Sequence, residues 1–454
     1  MNGWLDRWRQ DHVLGRVVKN SGYLFTSNVI SALLSILTAN LLGVRVFGVL
    51  GIVISTVSNV NRLLSFRMGD VVVKYMSDHL AKDEKQAAAA VVKASALIEG
   101  VTSLLAYGIL AALAPLAARY LADDPTTVPL FLIYGLSILS NITTETATGI
   151  LQIGGHYRSQ AMINFLQSVA TAAIIVVAYF TKTGLMTVML AYLTGKVILG
   201  LAPILLAIYW LPKMLGADWF KAPFNLLPPK SEFLKFSLST NFSSTINMVA
   251  RDSEVLWVGY FFSPLEAGYF KTALAIINLV VMPITPFIST TYPEITRCVA
   301  QFKWDNLRRL LQRVTLIAAA WTGAVAFGLL LFGKPVLFQN WLIFGKTIHI
   351  YRPEFLPSFP VLMILLIGFG TANILFWNRP LLLALGRAEV PLRVGFWGMV
   401  VKVALAFLLL PGAGYLTEAW LLSAYFVFTV GMIIVQGFQT LRKVESVSPL
   451  PASS

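Results

Sequence analysis

The chain has 454 residues, 57% of them hydrophobic and only 12% charged, with a formal net charge of +14. That composition excludes an ordinary soluble globule, in which about 25% of residues are charged. The lone Cys298 excludes an internal disulfide framework and a cysteine-rich metal site, and four scattered histidines supply no ligand pair. Most of the positive charge lies in loops between apolar runs, which is the pattern of membrane topology rather than of nucleic-acid binding.

Taken in chain order, residues 1–19 are polar and basic, with Trp4, Leu5 and Trp8 forming an apolar stripe. They predict a short helix lying at the membrane interface, with no cleavable signal. Apolar runs of 18 or more residues then recur to the end, so the fold class is all-α, a polytopic membrane protein. Twelve spans are expected, at about 21–42, 47–66, 93–115, 128–150, 161–180, 185–209, 237–261, 267–289, 314–333, 357–379, 394–410 and 418–437. With the N-terminus inside, the inner loops and tails hold 24 Lys and Arg and the outer loops hold six, which predicts both termini in the cytoplasm.

The connection 211–236 carries four lysines and four prolines and divides the chain into halves of six spans. The expected organisation is a bundle over 1–210, a cytoplasmic linker over 211–236, a second bundle over 237–440 and a tail over 441–454. An even number of spans per half makes any internal repeat parallel. An offset of 220 residues lays LLGVRVFGVLG (41–51) over FFSPLEAGYFK (261–271), with Gly48 over Gly268. Pro283 and Pro286 predict a bend in the eighth span, and Gly195, Gly200 and Pro203 a similar one in the sixth. Residues 334–356 read as the longest outer loop, too short for a catalytic domain.

Polar residues at membrane depth carry the functional signal, because each intramembrane charge costs roughly 2.5–3.5 kcal/mol on insertion scales. Away from the span ends, five bases fall within spans: Arg62, Lys196, Arg251, Lys271 and Lys402. Glu99, Glu145, Asp252 and Glu254 are the acids there. If most of these face one central space, it is mildly cationic and suits a phosphate or pyrophosphate head, which Lys meets with point charges and Arg with a fork. Each charge also has a structural reading. Lys271 lies near an outer turn and snorkels to the interface or faces the lumen. Arg251 and Glu254, at i and i+3, form an ion pair or serve the substrate. Lys196 and Lys402 have no acid one helical turn away, which favours the lumen. Arg62 belongs to the cavity or anchors inner headgroups. Glu145 lies in a stripe of Asn141, Thr144, Thr148 and Gln152, either a lumen wall or a helix seam. Glu99 serves ion coupling or pairs with a neighbouring lysine.

The chain carries no Walker-A loop, G-x-G-x-x-G, G-x-S-x-G or H-E-x-x-H, so no enzyme, metal or cofactor is expected.

The stretch RVVKNSGYLFTSNVISALLSILTANLLGVRVFGVLGIV (16–53) resembles the opening of bacterial polysaccharide-biosynthesis membrane proteins. These are the oligosaccharide flippases of the multidrug/oligosaccharidyl-lipid/polysaccharide (MOP) exporter superfamily. RDSEVLWVGYFFSPLEAGYFKTALAI (251–276), PFISTTYPEITRCVAQFKWDNLRRLLQRVT (286–315) and LLLALGRAEVPLRV (381–394) are similar to its later spans and loops. One departure is RLLSFRMGDVVVKYMSDHL (62–80), which is more charged than the Gly-rich stretch the family places there. The resemblance implies two six-helix bundles in a MATE-like, V-shaped fold. It implies transport of a polyprenyl-pyrophosphate-linked oligosaccharide from inner to outer leaflet by alternating access, in a bacterial cell membrane, with H⁺ or Na⁺ coupling an open matter. Membrane lipids are the other expected partner, and nucleic acid is not one.

Three other readings compete. A cation-coupled multidrug exporter of the same superfamily is disfavoured by the basic excess and by a first span without a carboxylate. A membrane polysaccharide polymerase, ligase or glycosyltransferase is disfavoured by the short outer loops. A lipid II flippase shares the charge logic but is expected to have fourteen spans.

Overall fold

The computed structural model describes residues 29–343 and 346–447. The expected interfacial helix over 1–19, the start of the first span and the end of the tail lie outside the described residues. Ten described segments are helical, long and apolar enough to cross a membrane. The two expected spans not among them are the first and the seventh. Of the first only Val29–Leu42 (α1) is described, and the seventh is charged and interrupted.

The described chain falls into two compact units, one over Leu33–Gly268 and one built mainly from Tyr269 onward. In the first, α2 (Val44–Leu64) is followed by a short non-helical link and α3 (Gly69–Ala81). Then come α4 (Lys85–Tyr120), α5 (Val128–Ser140), α6 (Thr144–Ile153), α7 (Tyr157–Thr181) and α8 (Leu185–Leu215). The seventh span is α9 (Lys230–Asn247), a π-helical turn over Met248–Asp252, and α10 (Glu254–Phe261). Helices outrun the predicted spans, α4 by eight residues at its start, because hydropathy marks the hydrocarbon thickness while the backbone stays helical into the wet zone.

Helix α4 shows how the sequence divides its faces. Ala88, Ala89, Ala90 and Val92 are buried with Val72, Met76, Ala147, Ile150, Ala207 and Leu211, small residues letting the helices close. Leu97, Val101, Leu104 and Leu105 stand exposed at helical spacing, as a lipid-facing stripe does. Helix α8 continues as one helix through Gly195, Gly200 and Pro203. Gly200 serves close approach, since a Cβ there would strike the carbonyl of Ser140 at the end of α5.

The 220-residue repeat has a physical counterpart. A Cβ on Gly48 would strike the carbonyl oxygen of Pro264, and one on Gly268 would strike that of Val44. Residues 44 and 264 differ by the same 220 as 48 and 268. The contact is therefore reciprocal, as a local two-fold relation between the repeats requires.

The second unit holds most of α11 (Pro264–Val281), then α12 (Thr285–Ala300), α13 (Trp304–Gly328) and α14 (Lys334–Phe338). It continues with α15 (Ser358–Ile374), α16 (Asn378–Ala384), α17 (Glu389–Leu409) and α18 (Leu416–Val447). Between α11 and α12 the chain tightens to a 3₁₀ turn over Met282–Ile284, at the break that Pro283 predicts. The expected outer loop is structured. It contains an antiparallel hairpin of β1 (Trp341–Ile343) and β2 (Lys346–Ile348), with Trp341 opposite Ile348. Phe338, Tyr351 and Phe355 are buried beside it, with ring centroids 5.9 and 5.6 Å apart in sequence order.

Candidate functional site

Two backbone interruptions meet at the polar face of α4: helix α2 ends at Leu64 and the fourth span breaks over residues 141–143. The seventh span widens to a π-helical turn over Met248–Asp252 that faces α2. A broken helix in lipid leaves backbone N–H groups that protein must satisfy. Glu99 on α4 does this for the fourth span: its two carboxylate oxygens accept from the backbone N–H groups of Glu145 and Thr146, both at 2.9 Å. These are the second and third residues of α6, so the buried carboxylate sits at a helix N-terminus, where the dipole favours it. One turn on, Thr102 accepts from the N–H of Phe66 at 3.1 Å, and Ser103 lies 2.8 Å from Ser65. Glu99 was expected to serve coupling or to pair with a lysine. It caps a half-helix.

Supported in this way, the link after α2 presents Arg67. Its backbone N–H donates to Asn241 at 2.9 Å, and its Nε and one terminal nitrogen each lie 3.0 Å from Oε1 of Glu145. Its other terminal nitrogen donates to Ser244 at 3.5 Å. One turn toward the helix interior, Arg62 meets Asp252 at 2.5 Å, and Asn59 donates to Ser253 at 2.8 Å. Lys196 on α8 is exposed and within electrostatic range of Arg62.

The side chains of Arg62, Asp252, Arg67 and Glu145 are 39–49% exposed, so both pairs lie on a solvent-accessible wall. Arg251 adds a half-buried base from the π turn. Of the expected candidates, Arg62, Lys196, Glu145, Arg251 and Asp252 are therefore gathered in one unit. Arg67 is the member that sequence reasoning missed. It falls beyond the apolar window of the second span, and its only signal was the unexpected charge of residues 62–80.

The stripe on the fourth span proves to be wall and seam together. Glu145 is exposed, whereas Thr144 donates to the carbonyl of Gly200 at 3.1 Å. Glu254 is buried at the first position of α10. The π turn ends between Arg251 and Glu254 and so breaks the regular i, i+3 spacing on which their pairing was expected.

Two candidates belong to the other unit. Lys271 on α11 keeps its Nζ out of solvent contact and so does not snorkel to the interface. Lys402, expected in an open lumen, is sealed: it is 4% exposed and forms an ion pair at 3.0 Å with Glu418, which is fully buried. Glu418 lies on α18, so the partner comes from the next helix rather than from one turn along the same one.

Comparison with known proteins agrees with this architecture. Residues 17–299 match the family model described as Polysaccharide biosynthesis protein. The chain is 26% identical over 360 residues to Inner membrane protein YghQ of Escherichia coli (strain K12), covering 75% of this chain and 96% of that one. It is 20% identical over 448 residues to Probable flippase AglR of Haloferax volcanii, covering 96% and 87% of the two chains. Among solved structures it is similar to an inward-facing multidrug resistance MATE family transporter of the MOP superfamily, with a TM-score of 0.67 and 15% identity. That match covers 93% of this chain and 96% of the other and establishes the shared fold.

Proposed function

This chain belongs to the polysaccharide biosynthesis protein family and is a multi-pass membrane transporter with the MOP fold, and we propose that its cargo is a polyprenyl-pyrophosphate-linked oligosaccharide. On this reading it moves that lipid from the inner to the outer leaflet for cell-surface polysaccharide assembly, by alternating access. Both termini are cytoplasmic in a bacterial inner membrane, and the working halves divide at the linker 211–236.

The observation that most supports the cargo is the exposure of Arg62, Arg67 and Lys196, with half-buried Arg251 beside Asp252 in the π turn. Each guanidinium fork is held by a carboxylate in a pair exposed enough to contribute only about 0–1 kcal/mol to stability. Such pairs orient the donors yet exchange readily. A pyrophosphate offers the forks bidentate oxygens in place of Asp252 or Glu145, and Lys196 supplies a further point charge. An inside-negative potential then favours outward movement by about 2.3 kcal/mol per charge per 100 mV. Lys271, in the other unit, is a separate candidate for anion attraction, and Lys402 serves its own helix pair.

The test is transport in proteoliposomes of a fluorescent polyprenyl-pyrophosphate oligosaccharide against a cationic dye. Arg67→Gln should lower cargo transport at least tenfold with stability changed by less than about 1 kcal/mol, since the pair is exposed. Arg67→Lys should restore transport only in part, because the fork is lost. Transport of the dye alone, or cargo transport by R67Q within twofold of the parent, rejects the proposal.

A further inference from the structure

The second unit contains a polar cavity of about 820 Å³ that the transport reading does not use. Arg387 enters it from the turn between α16 and α17, Glu389 from the first residue of α17 and Arg393 from its second turn. From α18 come Gln436, Gln439, Thr440 and Lys443, at spacings of three, one and three, which is one continuous helical face. Gly386 sets up the first group: its φ of 73° is a left-handed turn that glycine makes without strain, and it aims Arg387 at the cavity mouth.

The lining has three bases and one acid, and that acid, Glu389, lies 3.4 Å from Arg387. Among the described residues no carboxylate pairs with Arg393 or Lys443. Two uncompensated cations, two amides and a hydroxyl thus converge on one space, a donor set suited to phosphate oxygens. The surrounding helix ends strengthen the field: residues 294–313, 385–393 and 436–445 together hold nine Lys and Arg against four Asp and Glu.

Depth fixes the kind of phosphate. Trp397 follows Arg393 by four residues on α17 and is 60% exposed. Val401 and Leu408 continue that face, exposed and apolar. An exposed Trp between a lipid-facing stripe and a basic residue marks the membrane interface, where phospholipid headgroups lie. We propose that this cavity binds a phosphate ester anion at the interface, supplied by the headgroup of an acidic phospholipid.

The test titrates the purified full-length protein, in neutral detergent, with dioleoyl phosphatidylglycerol or dioleoyl phosphatidylcholine and counts bound lipid by native mass spectrometry. Arg393→Gln with Lys443→Gln should weaken phosphatidylglycerol binding at least tenfold and leave phosphatidylcholine unchanged. Arg119→Gln with Lys182→Gln, which removes the same charge elsewhere, should stay within twofold of the parent. Phosphatidylglycerol binding by R393Q/K443Q within twofold of the parent overturns the site. Removal of the lipid adduct by millimolar inorganic phosphate upholds the anion site and overturns the lipid source. Should the double variant fail to fold, K443Q alone, at the exposed end of α18, carries the same comparison.

Discussion

Replacing Lys402 with Met separates a structural charge from a transport charge. Lys402 and Glu418 lie 3.0 Å apart and are at most 4% exposed. Removing the cation strands a buried carboxylate, which in comparable sites costs about 3–5 kcal/mol. Lys402→Met should therefore destabilise the protein by that amount, read by thermal unfolding of the detergent-purified chain. The double variant K402M/E418L removes both charges and replaces them with apolar groups of similar volume, a change that ranges from neutral to about 1–4 kcal/mol stabilising. It should recover stability, and with it cargo transport in proteoliposomes. Two results refute the reasoning. A single K402M of parental stability would show that the pair is not buried as described. A double variant that is stable yet inactive would return Lys402 to the substrate path.

Two further changes probe the supports of the site. Glu99→Ala removes a charged acceptor from two backbone donors and should cost about 1.5–3 kcal/mol per bond lost, with Glu99→Gln intermediate because one acceptor oxygen remains; a thermal midpoint unchanged in E99A would dismiss the capping role. Gly48→Val and Gly268→Val should each be destabilising by at least the 1–3 kcal/mol typical of overpacking, and by similar amounts. If one is tolerated and the other is not, as judged by monodispersity and thermal unfolding, the contact is not reciprocal.

Hydropathy made the spans legible, and the proline pair at 283 and 286 marked a real interruption, because both signals are local to one helix. The charges were legible as unusual but not as to their partners. Glu418 follows Lys402 by sixteen residues on the next helix, so no spacing rule within a span finds it. Glu99 answers to backbone N–H groups, which carry no residue signature at all. Arg67 sits in a non-helical link past the end of the apolar window, where a basic residue ordinarily reads as topology. In each case one partner was visible and the other was supplied by a different helix.

The same pairing logic explains why the first compact unit runs past the linker to Gly268. The seventh span opens the second repeat, yet it is tied to α2 by Asn59 with Ser253, Arg62 with Asp252, and the close approach of Gly48 to Pro264. Two of these ties are polar contacts made at the end of the π turn and the residue after it, and the third is a packing contact one short turn beyond the end of the span. The Arg62–Asp252 tie joins exposed groups and is individually weak, Asn59–Ser253 is a single part-buried hydrogen bond, and the glycine contact admits no side chain. A motion that parts α2 from the seventh span near Arg62 therefore meets less resistance than one that parts them at Gly48. Arg62 lies at the end of the contact that opens more easily, and on the proposed reading a pyrophosphate replacing Asp252 would release that tie and leave Asn59–Ser253 as the polar link.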